Sequence, residues 1–129
     1  MKYIQTFESK KSKKNKIYNI RLDTFKLDII NAVVNDDEKR LKYLIRKGHN
    51  VNVQDSRGNT PLFYAAQHDL MNIIYILIDS GADWNIKNNK NYDFLFLLND
   101  IQIENLKELY KEKYNDYLLR QEAEKKYNL

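Results

Sequence analysis

Apolar residues recur every three or four positions in short stretches of this 129-residue chain, and turn-forming residues separate the stretches. The clearest stretch is GNTPLFYAAQHDLMNIIYILIDSGADWNI, residues 58–86. Thr60 before Pro61 predicts a helix start, because the hydroxyl can accept a hydrogen bond from a first-turn N–H and a proline there lacks a donor that would stay unpaired. Ala65 and Ala66 then give a small-residue face. The first half of the stretch therefore predicts a short helix that a neighbouring helix can approach closely.

A second helix is predicted from about Met71 to Ser80. Its apolar side chains, which include Ile73 and Leu77, fall on one face at helical spacing. Gly81 ends this helix, since glycine can adopt the left-handed conformation that closes a C-terminus. The residues that follow are predicted to turn as an extended finger toward the next unit.

The same pattern repeats along the chain. Gly48 and Gly81 are 33 residues apart, as are Leu44 and Leu77. Other pairs with this 33-residue spacing are Asn52 with Asn85, Ala32 with Ala65, Ile45 with Ile78, and Asp36 with Asp69. Because a fixed period of this length is typical of stacked arrays, the sequence predicts one regular unit between two degenerate ones.

The degenerate units have the features expected at the ends of a stack, where one face meets water. In the upstream unit, Asp36, Asp37 and Glu38 cluster at the start of the second helix, where negative charge is favourable. This cluster predicts a helix cap, in preference to a metal site. In the downstream unit, Asp93 and Phe94 replace the threonine and the proline.

The central unit resembles the ankyrin repeat, whose signature reads approximately G-x-T-P-L-H-x-A-A, then I-V-x-x-L-L, then G-A-D-V-N. The residues at signature positions are Gly58, Thr60, Pro61, Leu62, Ala65, Ala66, Ile73, Leu77, Gly81, Ala82, Asp83 and Asn85. The resemblance extends over about residues 22–111. It implies an all-α ankyrin-repeat solenoid of about three helix-turn-helix repeats with finger turns.

Two flanking segments lie outside the predicted repeat domain of residues 21–113. Residues 1–20 form a basic N-terminal segment, which we interpret either as a short β-hairpin or as a disordered arm. Residues 114–129 form a C-terminal helical extension, because no proline or glycine follows Leu106 to stop the helix. Its apolar stripe either packs on its own domain or docks a partner or a second copy, so both monomer and homodimer stay open.

The net charge of +4 is concentrated at the N-terminus, where residues 1–16 contain six lysines and one glutamate. The rest of the chain is therefore nearly neutral. This segment suggests nucleic-acid or acidic-surface association as an alternative function, since clustered lysines bind phosphates non-specifically. The candidate contact residues are Lys10, Lys11, Lys13, Lys14 and Lys16.

Composition and motifs give no indication of catalysis or of membrane insertion. The chain has no cysteine, and its longest aliphatic-aromatic run, residues 73–78, is far shorter than a membrane span. We find no glycine-rich phosphate loop and no metal-binding motif, and neither His49 nor His68 has a convincing catalytic neighbour in the sequence. We therefore expect a cytoplasmic protein without catalytic, cofactor-binding or metal-binding residues.

The ankyrin resemblance implies binding of another protein through finger tips and the concave face. The positions carried over from the family are Ser56, Arg57, Asn59, Gln67, His68, Asn89, Lys90, Tyr92, Asp100 and Ile101, with Asp23, Thr24, Lys26, Val34 and Asn35 in the first unit. We expect Arg57 and Tyr92 to dominate, because these residue types often do so. Trp84 either covers the finger base or contacts a partner. The predicted role is a stand-alone inhibitor, an immunity protein or a microbial or viral effector.

Overall fold

A computed structural model describes residues 27–127 of the chain. This part is all-helical and contains six α-helices and no β-strand. The helices are α1 (Asp28–Val34), α2 (Glu38–Arg46), α3 (Pro61–Gln67), α4 (Met71–Asp79), α5 (Asp100–Leu109) and α6 (Lys111–Tyr127), with one 3-10 turn, Phe94–Leu97. The predicted N-terminal hairpin or arm and the lysines between Lys10 and Lys16 lie outside the described residues.

The central repeat follows its sequence signals closely. The Thr60 hydroxyl accepts a hydrogen bond from Phe63 N at 3.2 Å, and Pro61 occupies the first turn of α3. Asp69 has a φ of 56° and turns the chain into α4. Gly81, with a φ of 95°, follows the end of α4 in the left-handed conformation. The predicted start of α3 and the predicted bounds of α4 are therefore confirmed to within one residue.

The repeats stack through one shared hydrophobic core. We call α1, α3 and the 3-10 turn the inner helices, and α2, α4 and α5 the outer helices. The inner helices contact one another in sequence order, and α3 also packs on α4. Leu44 of α2 and Leu77 of α4 are 2% and 0% exposed and belong to the same buried cluster. The 33-residue spacing thus gives successive layers of one core, as the sequence predicts.

The fingers, which connect each outer helix to the next inner helix, are linked to each other by hydrogen bonds. The backbone N–H of Asn89 donates to the Arg57 carbonyl at 2.9 Å, and its side-chain amide donates to the Ser56 carbonyl at 3.0 Å. Gln54 donates to the Lys87 carbonyl at 3.4 Å. The two fingers therefore lie side by side and form a continuous edge.

The third unit is degenerate, as the sequence predicts, and its inner helix is shortened. Its inner helix is a single 3-10 turn, which Asp93 caps by accepting a hydrogen bond from Phe96 N at 3.3 Å. Leu98, at the position of a signature alanine, is buried in an extended conformation and ends the turn. Asn99 follows and begins α5 with a capping box to Gln102. A second strong helix start so close behind the first leaves no room for a longer inner helix.

The C-terminal helix is broken, contrary to the prediction of an uninterrupted helix past Leu106. Tyr110 has a non-helical φ of −128° and separates α5 from α6. Three tyrosine rings surround the ring of Trp84. Their centroids lie 6.2 Å (Tyr110), 6.5 Å (Tyr114) and 6.4 Å (Tyr117) from the Trp84 centroid. The chain turns here because α6 then packs on the repeats, which buries Trp84 to 3% exposure. Of the two roles considered for Trp84, the structure gives it the packing role.

Candidate protein-binding surface

The finger tips carry four of the predicted contact residues. Ser56, Arg57, Asn89 and Lys90 are all exposed. Because Asn89 hydrogen-bonds to the carbonyls of both Ser56 and Arg57, the two tips hold one another in place. Arg57 and Lys90 therefore project from a fixed edge and give it positive charge.

The turns that join the inner helices to the outer helices form a second part of the surface. Gln67 and His68 are exposed at the end of α3, next to the turn at Asp69. The Gln102 side-chain amide donates to the Asp69 carboxylate at 3.2 Å, which joins this turn to the first turn of α5. Asp100 and Ile101 are exposed in that same turn of α5, and Ile101 is 74% exposed. These predicted residues of repeats two and three are thus brought together.

An exposed aromatic pair lies beside the second finger. The rings of Tyr92 and Phe96 stack with centroids 4.0 Å apart and planes 7° from parallel. Tyr92 is 39% exposed and Phe96 is 62% exposed. Both border a cleft of about 410 Å³ that also includes Leu95, Ile103 and Tyr114. The stacked rings form a flat apolar surface, and the Tyr92 hydroxyl lies at one edge of it.

Phe96 did not emerge from the sequence reasoning. Its position within FLFL reads as core, and only the shortness of the 3-10 turn leaves its side chain outside. Phe96 is four residues after Tyr92, a spacing that brings side chains together within a helix. The sequence alone does not predict this contact, because the helical turn begins between the two residues.

Asn59 is placed differently from the other predicted contact residues. It is 6% exposed and accepts a hydrogen bond from the Asn88 amide at 2.9 Å. Its own amide donates to the Tyr64 hydroxyl at 3.3 Å, and that hydroxyl donates to the Asp55 carboxylate. The pKa of Tyr64 is raised: burial is the largest cause, the hydrogen bond from Asn59 opposes it, and the hydrogen bond to the Asp55 carboxylate adds to it. Asn59 therefore helps to position the finger base and is not available to a partner.

The helix α6 borders the aromatic pair and its cleft from the other side. The Tyr117 hydroxyl donates to the buried Asp93 carboxylate at 2.7 Å, and Lys87 pairs with Glu124 at 2.7 Å. Burial, and then this carboxylate, raise the pKa of Tyr117. The same two causes, with Asp79 as the carboxylate, raise the pKa of Tyr110 to about 12. Both hydroxyls thus stay protonated and act as donors. The Tyr117 hydroxyl holds α6 against the third repeat, and the Tyr110 hydroxyl holds the junction of α5 and α6 against Asp79 of α4.

A family model described as "Ankyrin repeats (3 copies)" matches residues 29–121, which is most of the chain. The chain belongs to the ankyrin-repeat family. Ankyrin repeats are generally protein–protein interaction modules, and this fold is a scaffold for such contacts.

Two known proteins are similar to this chain over short parts of their length. It is 40% identical to FPV219 of fowlpox virus over 58 residues, which are 45% of this chain and 13% of that protein. It is 37% identical to the human transient receptor potential cation channel subfamily A member 1 over 62 residues, which are 48% of this chain and 6% of the channel. The chain therefore spans only a small part of the length of these relatives.

A solved structure supports the same architecture. The chain is similar to the crystal structure of the ankyrin repeat domain of Bcl-3, a member of the IkappaB protein family. The TM-score is 0.56 at 31% identity, and the match includes 58% of this chain and 33% of that chain. The predicted all-α ankyrin solenoid is confirmed.

The contact positions of the first ankyrin repeat are only partly described. Val34 and Asn35 are exposed at the end of α1, and Val34 is 45% exposed. Asp23, Thr24 and Lys26 lie outside the described residues.

Within residues 27–127, no group of three His, Cys, Asp or Glu side chains could hold a metal ion. No helix in that part of the chain is long and apolar enough to span a membrane.

Proposed function

We propose that this ankyrin-repeat protein binds another protein through one continuous face and acts by covering a surface of its target, without catalysis. We call this face the contact face. Its members are exposed residues of the finger tips, the turns that join inner to outer helices, and the aromatic pair: Ser56, Arg57, Gln67, His68, Asn89, Lys90, Tyr92, Phe96, Asp100 and Ile101.

The exposed aromatic pair is the observation that carries the proposal. Two stacked rings at the surface keep apolar area in contact with water, and a partner that covers them releases that water. The stacked geometry also fixes both side chains in advance, so little rotamer freedom is lost on binding. Tyrosine and arginine are residue types that dominate many interfaces, and Arg57 lies on the neighbouring finger tip. The pair and Arg57 together form the centre of the proposed interface.

The chemistry of the contact face agrees with a protein that acts by covering a surface of its target. Its side chains offer hydrogen bonds, positive charge and apolar area, which are binding functions. We infer a stand-alone inhibitor, an immunity protein or an effector, and the resemblance to a fowlpox virus protein supports the viral form of this proposal. The tyrosine side of α6 already packs on Trp84, which favours the monomer over a homodimer through that helix.

The test is affinity capture from the native host, followed by titration of the captured partner. We expect Arg57→Ala combined with Tyr92→Ala to weaken binding by about 30-fold or more, because one hot-spot residue accounts for about 2 kcal/mol. The matched control is Lys111→Ala combined with Leu119→Ala, which changes one cation and one exposed apolar residue on α6. Equal affinity of wild type and the Arg57/Tyr92 variant for the same partner would reject the contact face.

A further inference from the structure

A groove between two outer helices lies outside the contact face. It separates α2 from α4 and has a volume of about 530 Å³. Ile45 and Ile76, both partly buried against the core, form its apolar floor. The cations Lys39, Lys42 and Arg46 stand along its α2 side. We call this feature the outer groove.

The cations of the outer groove make no ion pair within residues 27–127. The ion pairs in that part of the chain are Arg40 with Asp28, Lys87 with Glu124, and Lys107 with Glu104, and none includes a groove cation.

No carboxylate lines the outer groove either. The sixth lining residue, Ser80, donates its hydroxyl to the Ile76 carbonyl at 2.7 Å, so this proton is already used. The groove thus combines an apolar floor with cations that lack an acidic partner in the described part of the chain.

We infer that the outer groove is a second interaction surface that takes an acidic, amphipathic segment of a partner protein. Apolar side chains of the segment cover Ile45 and Ile76, and its carboxylates pair with Lys39, Lys42 and Arg46. The contact face contributes no residue to this groove, so the inference does not depend on the proposed function.

Charge and polarity together select this occupant. The lysine-rich residues 1–16 of the same chain carry the same sign of charge as the groove and are repelled from it. A nucleic-acid backbone would satisfy the cations, but its phosphates and sugars would leave the isoleucine floor poorly covered. An acidic peptide with an apolar face satisfies both features at once, which is the electrostatic and apolar complementarity that gives an interface its specificity.

The experiment uses the full chain and a fluorescein-labelled helical peptide of about four turns, with leucines on one face and glutamates on the flanks. Fluorescence anisotropy measures its dissociation constant at low salt and at about 0.15 M salt. We expect Lys39→Glu combined with Lys42→Glu to weaken binding about tenfold, since each reversed surface charge contributes about 0.7 kcal/mol.

The control variant is Lys111→Glu combined with Lys113→Glu on α6. It makes the same charge change at two exposed lysines outside the groove. Both variants keep the lysine-rich segment, so any peptide bound there contributes equally to both. We expect the control to bind within about twofold of wild type, because surface substitutions away from an interface have small effects. Arg57→Ala with Tyr92→Ala is expected to leave peptide binding unchanged, which separates this inference from the contact face.

Several results would overturn the inference. A peptide whose leucines are replaced by serines should bind at least about tenfold more weakly, because loss of its apolar face removes the floor contact. Equal binding of that peptide excludes a role for the floor. Equal loss in the two lysine variants indicates non-specific charge, and absence of binding by wild type at low salt excludes the site. A single-stranded oligonucleotide that binds more tightly than the peptide and loses affinity in the Lys39/Lys42 variant would assign the groove to nucleic acid instead.

Discussion

Replacing Trp84 tests whether α6 is an integral part of the fold. The side chain lies between the second finger and α6, and it is the only tryptophan in the chain. Its ring is perpendicular to that of Phe94 at 5.3 Å and also contacts Tyr110, Tyr114 and Tyr117. Trp84→Ala removes the common partner of all four rings and leaves a cavity where α6 meets the repeats.

The expected loss of stability is large. Truncation of a buried tryptophan to alanine costs about 3–5 kcal/mol. That is a substantial share of the roughly 5–15 kcal/mol by which domains of this size are stable. Trp84→Phe should cost at most about 2 kcal/mol, because the indole Nε1 is buried without an acceptor within residues 27–127 and its loss removes an unpaired donor.

Urea unfolding followed by circular dichroism measures both free energies of unfolding. We expect the free energy of unfolding to decrease in the order wild type, Trp84→Phe, Trp84→Ala. In thermal unfolding, the melting temperature of the alanine variant should be lower by at least about 12 °C. Leu119→Ala is the control, since this α6 residue is 63% exposed and should change stability by less than about 0.5 kcal/mol. A cost below about 1 kcal/mol for Trp84→Ala would refute the conclusion that α6 packs stably on the repeats.

Two further predictions concern a finger glycine and alkaline pH. Gly58→Ala should destabilise the protein by about 1–3 kcal/mol in urea unfolding, because φ is 78° and the new Cβ would lie 2.6 Å from Oδ1 and 2.9 Å from N of Asn89. Gly81→Ala should cost about 1 kcal/mol, since it meets no atom within 4 Å, and equal costs would contradict the steric argument. The pKa of Tyr110 is about 12 in the folded protein, against an ordinary tyrosine pKa of 10.0, so the unfolded chain loses this proton first. Stability should therefore fall as pH rises above about 10. Tyr110→Phe should flatten the fall in urea midpoint between about pH 10 and pH 12, and identical slopes would disprove the contribution of this hydroxyl.

The sequence predicted most residues of the proposed contact face, including Arg57 and Tyr92 at its centre, but not Phe96. Arg57, Lys90 and Ile101 are exposed as expected, because a fixed repeat length places equivalent residues at equivalent points of each layer. Asn59 was misplaced, since its environment depends on Asn88 of the next finger, a neighbour that spacing alone does not reveal. These assignments as partner contacts remain predictions until binding is measured.

The breaks in the third unit also depended on distant neighbours. Nothing between Leu106 and Tyr127 is a helix breaker, so local signals favour a continuous helix. The turn at Tyr110 forms because the hydroxyl binds Asp79 at 2.9 Å and the following helix covers Trp84. Packing of this kind outweighs the small preferences of individual residues for helix.

The sequence by itself determined the helices of the central repeat, their caps and the stacking of the repeats. Thr60, Pro61 and Gly81 act over a single helical turn, and the 33-residue period carries the same apolar face from layer to layer. Tertiary structure alone decided where α6 lies, and it also decided that the Tyr92 and Phe96 rings stack and that a cationic groove opens between α2 and α4. These features arise where residues far apart in the chain meet, so their free energies depend on three-dimensional contacts that no local pattern encodes.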